Sequence, residues 1–384
     1  MSHFYTPVVY TGIFLTKLLH LKGGDKNGFS RLVYSFANKK ELLNTKFTGT
    51  PSARQNADFL PEDVFTLNKT PGRDFLIMNI ADIHFSDYDY RLVYGFNAFR
   101  KVKSLVKKYK PDLITLTGDQ VCTEGTKYSV DVLTRKMDTL GVPWAPVFGN
   151  HDAEGNCDRD FIAEEMMKGK NCLFAKGCPD IGVGNYAIEI KSGEKRAHAL
   201  FMMDFHRHEM DEKQLAWLKA GTEKTDCESS VFGHIPLAEY KIAYDENCKN
   251  GNFTKESFGA GRRGEKEATM AGEPGADGNI FDEILKNGRT KFIFTGHDHL
   301  NDYSLSYRGI RLTYMLKTGK GAGNTLGMNG ATFIKIGDDG IKNVSHVTKT
   351  FGFPVTIQSV NFENGAAVEV EKDRRITLRE KIRL

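Results

Sequence analysis

The chain has 384 residues, 40% of them hydrophobic, and carries 53 Lys plus Arg against 49 Asp plus Glu, a formal charge of +4. This length can bury a substantial core, in one large domain or in two. The small net charge gives no strong signal for a nucleic-acid or membrane partner, although a local basic site for an anionic substrate stays open.

The first 72 residues contain no motif, and we predict an extension that packs on the main domain. Residues 1–21 are partly apolar, but polar residues interrupt them and no basic segment leads them, so neither a signal peptide nor a membrane span is predicted. The six cysteines form no C-x-x-C pair, which favours free thiols and a cytoplasmic location. A loop disulfide among Cys157, Cys172 and Cys178 stays open, because these three are close in sequence.

Short apolar runs and helical periodicity alternate from Phe75 onwards. The apolar runs predict strands at residues 75–80, 113–117, 144–148, 186–190, 197–203, 230–232, 291–295, 332–336, 355–360 and 367–370. Apolar residues at helical spacing predict helices at residues 92–106, 130–140, 280–285 and after Asp211, which is a suitable N-cap. Residues 245–278 are Gly-rich and charged without periodicity, and we predict a long loop of the kind that forms lids.

Five of the predicted strands end, within a residue or two, in a side chain that commonly binds metals: Asp82, Asp119, Asn150, His234 and His297. Because ligands of α/β sheets bind beyond the carboxyl ends of the strands, we expect these five strand ends to meet in one crevice. His84 and His299 follow two positions after Asp82 and His297, which brings the number of N or O donors to seven.

Seven donors are more than one tetrahedral ion uses, and a mixture of carboxylate, imidazole and amide suits two ions such as Fe, Mn or Zn. In two-metal sites the ions lie about 3.5 to 4 Å apart, and Asp119 is the natural bridging carboxylate. Each residue alone is more often part of a turn, and Asp82 or Asp119 could be a helix N-cap. The coincidence at five strand ends favours the metal site.

The motifs resemble, in order and approximate spacing, the five blocks of the calcineurin-like metallophosphoesterases: Asp82-x-His84, Gly118-Asp119, Gly149-Asn150-His151-Asp152, Gly233-His234 and Gly296-His297-Asp298-His299. The strings 234–237 and 296–302 look most like the purple-acid-phosphatase-related branch. The resemblance implies an α/β sandwich of two mixed β-sheets flanked by helices. It covers about residues 73–345, which leaves an N-terminal extension at 1–72 and a β-rich C-terminal extension at 346–384.

Carried over to matching positions, the resemblance implies one metal on Asp82, His84 and His299, a second on Asn150, His234 and His297, and Asp119 bridging. A metal-activated hydroxide would attack phosphorus, and His151, outside the metal shell, would act as general acid on the leaving group. The implied function is hydrolysis of a small phosphate monoester. A phosphodiesterase acting on cyclic nucleotides, glycerophosphodiesters or nucleic acid is the alternative among enzymes, and a non-catalytic scaffold is the alternative outside them.

One position departs from the family pattern. Three residues after the bridging Asp, purple acid phosphatases have a Tyr that binds Fe(III) and Ser/Thr phosphatases have an Asp that orients the catalytic His, whereas this chain has Cys122. We therefore predict no tyrosinate colour and no obligatory Fe(III), and we interpret Cys122 as a buried bystander rather than a thiolate ligand. The residue that orients His151 stays open. Four further loop residues are interpreted as solvated surface, namely His206, His208, Arg262 and Arg263.

Overall fold

A computed structural model describes residues 58–86, 89–122, 127–205, 210–249, 252–259, 280–320, 329–350 and 353–372. All of them belong to one compact unit, Gly49–Leu384. The predicted loop residues His206, His208, Arg262 and Arg263 lie outside the described ranges. Residues 1–57 lie outside them as well, so the predicted N-terminal extension and the other domain boundaries stay predictions.

The strands are β1 (Val64–Asn68), β2 (Phe75–Ile80), β3 (Leu113–Thr117), β4 (Trp144–Val147), β5 (Tyr186–Ser192), β6 (Lys195–Met202), β7 (Ser229–Phe232), β8 (Cys248–Lys249), β9 (Asn252–Phe253), β10 (Thr290–Thr295), β11 (Ser304–Tyr307), β12 (Ile310–Tyr314), β13 (Gly330–Ile336), β14 (Ile341–Thr350), β15 (Phe353–Glu363) and β16 (Ala366–Lys372). The helices are α1 (Asp89–Tyr109), α2 (Lys127–Asp138), α3 (Arg159–Met167), α4 (Glu212–Thr225), α5 (Glu239–Asn247) and α6 (Ile280–Asn287). Two single-turn 3₁₀ helices, Pro61–Asp63 and Pro179–Ile181, complete the described elements.

The strands form two seven-stranded sheets and a small hairpin of β8 and β9. The first sheet has the order β1-β5-β6-β7-β10-β12-β11, with β6, β7, β10 and β12 parallel. The second sheet has the order β16-β15-β14-β13-β2-β3-β4, with β2, β3 and β4 parallel and the β13–β16 end antiparallel. Both sheets are therefore mixed.

The main hydrophobic core lies between the two sheets. It joins Met202 and Phe232 of the first sheet to Ile80 and Leu116 of the second in one buried cluster. The apolar faces of α1 and α2 extend this cluster on the outside of the second sheet, and α4, α5 and α6 cover the first sheet with a second cluster. The predicted sandwich of two mixed sheets flanked by helices is confirmed.

Helix α3 and the β11–β12 pair were not predicted, and three more features of the fold differ from the predicted elements. The predicted loop at 245–278 is wrong at its start, because α5 continues to Asn247 and the β8–β9 hairpin follows it. Strand β14 was not predicted, since polar residues such as Ser345 and His346 interrupt its apolar pattern, yet it pairs with β13 and β15 and buries His346. Strand β1, within the predicted extension, adds to the first sheet beside β5.

Two further predictions concern the cysteines and the membrane. All six cysteines are free thiols, so Cys157, Cys172 and Cys178 form no disulfide. Within the described ranges, no helix combines the length and the apolar character that crossing a membrane requires.

Candidate metal centre

The five predicted strand ends come from both sheets. Strands β2, β3 and β4 of the second sheet lead to Asp82, Asp119 and Asn150, and strands β7 and β10 of the first sheet lead to His234 and His297. A backbone hydrogen bond from Gly296 N to His234 O, at 3.1 Å, joins the two loops of the first sheet. The candidate site therefore lies where the carboxyl edges of two separate parallel groups of strands meet.

At these strand ends, several loop residues have a positive φ angle. This left-handed backbone conformation is rare for residues other than glycine. The four non-glycine residues and their φ angles are Asp82 (52°), His84 (50°), Asp119 (51°) and His297 (73°). Each such residue costs on the order of 1–3 kcal/mol and persists where surrounding contacts fix it, most often at functional sites. All four residues place a ligand atom in at least one of two donor clusters.

The first cluster consists of Asp82, His84, Asp119 and His299, whose ligand atoms all lie within 4.8 Å of one another. The Nε2 atoms of His84 and His299 are 3.1 Å apart. Asp82 Oδ1 is 3.4 Å from His299 Nε2, and Asp119 Oδ2 is 3.6 Å from His84 Nε2. These four side chains surround a single point.

The second cluster consists of Asp119, His234 and His297. Asn150 joins it, because its Oδ1 atom lies 3.1 Å from His234 Nε2 and 3.0 Å from His297 Nδ1. Asp119 belongs to both clusters and lies between them. The structure thus brings together all seven side chains that the sequence singled out, and divides them as the family resemblance implies; their role as metal ligands stays a proposal.

The hydrogen bonds of His234 fit a role as metal ligand in the second cluster. Its Nδ1 atom lies 2.9 Å from the Thr117 carbonyl, which can only accept, so Nδ1 carries the proton. Nε2 lies 3.2 Å from Asp119 Oδ2 and 3.1 Å from Asn150 Oδ1, and it would present a lone pair to a metal ion there once the ring is neutral. A histidine that binds a metal through one ring nitrogen usually donates the N–H of its other ring nitrogen to an acceptor such as a carbonyl.

The buried polar atoms of the site also fit a metal. Among the described residues, buried His297 Nε2 has no hydrogen-bond partner, and buried Asp82 Oδ1 makes no hydrogen bond of good geometry, with His299 Nε2 3.4 Å away. Burying a polar group without a partner costs on the order of several kcal/mol. A bound metal ion would supply the missing interaction. The residues present therefore fit the two-metal group that the sequence predicts.

The pKa values of the residues in the site point the same way. Burial raises the pKa of Asp119, but the charge of the neighbouring His234 outweighs it and holds that pKa well below its ordinary value. Burial lowers the pKa of His234, yet the Asp119 and Asp82 carboxylates outweigh it and raise the pKa to about 10. Burial also raises the pKa of Asp82, and His299 more than offsets this, so that carboxyl too is an anion. Positive charge is thus strongly favoured between these carboxylates.

His151 lies beside the clusters and belongs to neither. Its backbone N–H donates to Asp119 Oδ1 at 2.9 Å, and its ring centre is 5.5 Å from that of His84. The side chain is 35% exposed, so a bound substrate could reach it. Its ring Nδ1 lies 2.6 Å from Glu154 Oε2, a partner that the sequence did not identify.

Two further residues that sequence reasoning missed support the donors from outside. Asp152 accepts three backbone N–H groups, those of Asp119, Val121 and Gly149, at 2.9, 2.9 and 2.7 Å. Burial and the charge of Asp119 raise its pKa to about 7, against the effect of these N–H groups. The Gly-Asn-His-Asp motif carried a signal for Asp152, since a carboxylate next to two site residues can hold a loop by accepting its backbone N–H groups.

Lys317 carried no such signal, because it lies outside all five motifs. Its buried Nζ donates to the Asp82 carbonyl at 2.9 Å, and its charge contributes to lowering the pKa of His84, after burial. Cys122 is buried and lies outside both clusters.

Comparisons with known proteins agree with the motifs. The profile of the family described as "Calcineurin-like phosphoesterase" matches residues 75–301. "Probable inactive purple acid phosphatase 14" of Arabidopsis thaliana is 25% identical over 296 residues, which are 64% of this chain and 70% of that protein. "Phosphatase DCR2" of Saccharomyces cerevisiae is 26% identical over 306 residues, which are 68% of this chain and 49% of that protein.

Solved structures include two similar chains. A dimetal phosphatase from Danio rerio has a TM-score of 0.46 and 11% identity, covering 71% of this chain and 95% of that one. The purple acid phosphatase from yellow lupin seeds has a TM-score of 0.44 and 12% identity, covering 79% and 55%. With more than half of its length matched by the family profile, the chain belongs to the calcineurin-like phosphoesterase family.

Proposed function

We propose that the protein is a dinuclear-metal-dependent phosphoesterase that hydrolyses small phosphate monoesters, with His151 as general acid. The observation that carries the proposal is the pair of donor clusters that share Asp119, beside a half-buried histidine that belongs to neither cluster. A cytoplasmic location and a small phosphorylated substrate are part of this proposal.

The donor set supports the assignment of two ions. Asp82, His84 and His299 would hold one, Asn150, His234 and His297 the other, with Asp119 between them. When bound, two such ions supply a nucleophile from water at neutral pH and neutralise charge on the phosphoryl oxygens. Imidazole, carboxylate and amide donors suit Fe, Mn or Zn. The absence of a Tyr at position 122 supports a site without tyrosinate colour.

The surroundings of His151 support its role as a proton donor. Its backbone N–H is held by Asp119, which ties the position of the ring to the centre of the metal site. The ring is accessible and adjacent to His84, so a leaving-group oxygen beside the first cluster would lie within its reach. Proton donation by a positioned histidine contributes typically about 10²- to 10⁴-fold to such reactions.

A non-catalytic scaffold is the second candidate, and the names of relatives favour it. Three Arabidopsis thaliana relatives are named "Probable inactive purple acid phosphatase", at 23 to 25% identity. The yeast relative is named a phosphatase. The convergence of seven donors with His151 supports catalysis here, because a scaffold needs none of them. A phosphodiesterase stays the alternative among enzymes, since both ester classes suit the same donors.

Metal content and turnover test the proposal directly. We expect the purified protein to bind metal and to hydrolyse p-nitrophenyl phosphate faster than bis-p-nitrophenyl phosphate with at least one of Mn, Fe or Zn. Faster cleavage of the diester would favour the phosphodiesterase. Absence of both bound metal and turnover with every ion would contradict an enzymatic function and support the scaffold.

Two variants test the division of roles. His151→Ala should lower kcat about 10²-fold or more while metal content stays unchanged, because the side chain lies outside both clusters. Asp119→Ala should lose metal as well as activity, since its carboxylate belongs to both. If His151→Ala instead emptied the site, the assignment of His151 as a proton donor would be wrong.

A further inference from the structure

The turn that follows His151 brings a carboxylate back to its ring. Glu154 lies three residues further on, its backbone N–H faces the His151 carbonyl at 3.4 Å, and its Oε2 atom is 2.6 Å from His151 Nδ1. Asp152, between them, fixes the start of the turn by accepting the Gly149 N–H at 2.7 Å. The contact is therefore built by a short, anchored loop rather than by a long side chain free in solvent.

The geometry assigns distinct roles to the two ring nitrogens of His151. A carboxylate can only accept, so Nδ1 carries a proton towards Glu154. Nε2 is then the nitrogen that exchanges a proton with a bound substrate, and the ring centre lies 5.5 Å from that of His84 at the edge of the first cluster. A carboxylate that orients a catalytic imidazole in this way selects its tautomer and fixes the direction of its ring.

The Glu154 carboxylate is also partly shielded from solvent, which strengthens its interaction with the His151 ring. Its side chain is 22% exposed and that of His151 is 35% exposed, so solvent screens the pair less than it screens a surface ion pair. Cys122 occupies the position from which related phosphatases orient this histidine, and a thiol is only a weak acceptor.

We propose that Glu154 is the positioning residue of His151, and that it replaces an orienting carboxylate that the chain lacks at position 122. This inference rests on the proposed function of His151 as proton donor. Glu154 acts through the imidazole and is a member of neither donor cluster.

The leaving group of the substrate separates this role from a structural one. An alkyl phosphate needs a proton on its leaving oxygen, whereas 2,4-dinitrophenyl phosphate does not. We expect Glu154→Ala to lower kcat roughly 10- to 100-fold on an alkyl phosphate, with little change on the dinitrophenyl ester and unchanged metal content. Glu154→Gln retains an acceptor without the charge and should fall between Glu154→Ala and the wild type.

A double-mutant cycle and a matched control complete the experiment. His151→Ala combined with Glu154→Ala should be no slower than His151→Ala alone, because both changes disable the same proton transfer. Glu164→Ala removes a glutamate of α3 that is 64% exposed and pairs with Lys176; it should match the wild type on both substrates.

An activity-independent measurement keeps failure of the inference distinct from failure of the proposed function. In the Zn-loaded protein, the ¹⁵N shifts of the His151 ring should show a protonated Nδ1 that Glu154→Ala releases to a mixture of tautomers. An unchanged ring signal in the variant would overturn the positioning role whether or not the protein is active. Equal loss of rate on both esters, or loss of metal, would also overturn it. A wild type without turnover on any ester would contradict the proposed function instead.

Discussion

Asp152 holds Asp119 through its backbone: the Asp152 Oδ2 atom accepts the Asp119 N–H at 2.9 Å. The same carboxylate accepts the N–H groups of Gly149 and Val121, so it ties the loop after β3 to the loop after β4. One buried aspartate thus fixes the backbone of the residue that both donor clusters share.

Removing the Asp152 carboxylate should weaken metal binding, although Asp152 is not one of the proposed metal ligands. We expect Asp152→Ala to lower metal affinity about 10- to 100-fold, the usual effect of losing a group that orients metal ligands. Titration of the metal-free protein with Zn or Mn measures this affinity. Asp160→Ala is the control, because that carboxylate is 65% exposed and pairs only weakly with Lys176. Equal metal affinity in Asp152→Ala and the wild type would show that the two loops keep their positions without the Asp152 carboxylate.

The two clusters predict different metal stoichiometries for different variants. His299→Ala removes a donor from the first cluster alone, and we expect it to lose mainly one of two bound ions. Asp119→Ala removes the shared carboxylate, and both ions should be lost or weakened together. Elemental analysis after dialysis counts the ions. Loss of both ions in His299→Ala, with the fold intact, would indicate one coupled site rather than two.

Gly149 is required by close packing against Asp119. A Cβ at this position would lie 2.1 Å from Asp119 Oδ1 and 2.4 Å from its backbone N, so Asp119 must move. We expect Gly149→Ala to abolish most of the rise in melting temperature that bound metal produces, as measured by thermal shift with and without Zn.

Gly141→Ala is the matched control for that variant. Gly141 has φ +68° and open space around it, so the substitution costs about 1 kcal/mol of backbone strain while leaving the metal-induced rise intact. A full metal-induced rise in Gly149→Ala would argue that the loop accommodates the added methyl group.

Two buried histidines away from the site predict acid sensitivity of the metal-free protein. Burial lowers the pKa of His198 to about 3 and that of His346 to about 4. Because both values lie below the unfolded value of about 6.5, the stability they contribute is present above pH 6.5 and is lost as pH falls towards 4 and 3. Each should cost about 2 kcal/mol between pH 7 and pH 5.

Urea unfolding at these two pH values measures the loss, and His346→Gln tests its origin. The variant removes one titrating ring, so its difference in unfolding free energy between pH 7 and pH 5 should be about 2 kcal/mol smaller than that of the wild type. An identical pH dependence in both proteins would assign the acid sensitivity to other groups.

The apolar pattern of the sequence predicted most of the central strands because the signal there is local, and the family resemblance implied the sandwich that they form. Continuous apolar runs such as Phe75–Ile80 are buried on both faces, and each predicted run that leads to a donor is a strand in the structure. The apolar pattern failed to predict elements whose buried residues are polar or whose sequence mixes charged and apolar residues. Strand β14 buries the polar His346, and α5 lies in a charged stretch. In both cases tertiary packing outweighs the local pattern.

The sequence by itself determined which donors the chain offers and in what order, because each follows a strand whose apolar pattern can be read locally. Only the tertiary structure decided that three of the strand ends belong to one sheet and two to the other, and that Asp119 lies between two clusters. It also decided the partners of these residues: Asp152 on the Asp119 backbone, Lys317 on the Asp82 carbonyl, and Glu154 on the His151 ring. The physical reason is that hydrogen bonds depend on distances of about 3 Å between loops, and those distances are set by how the two sheets pack.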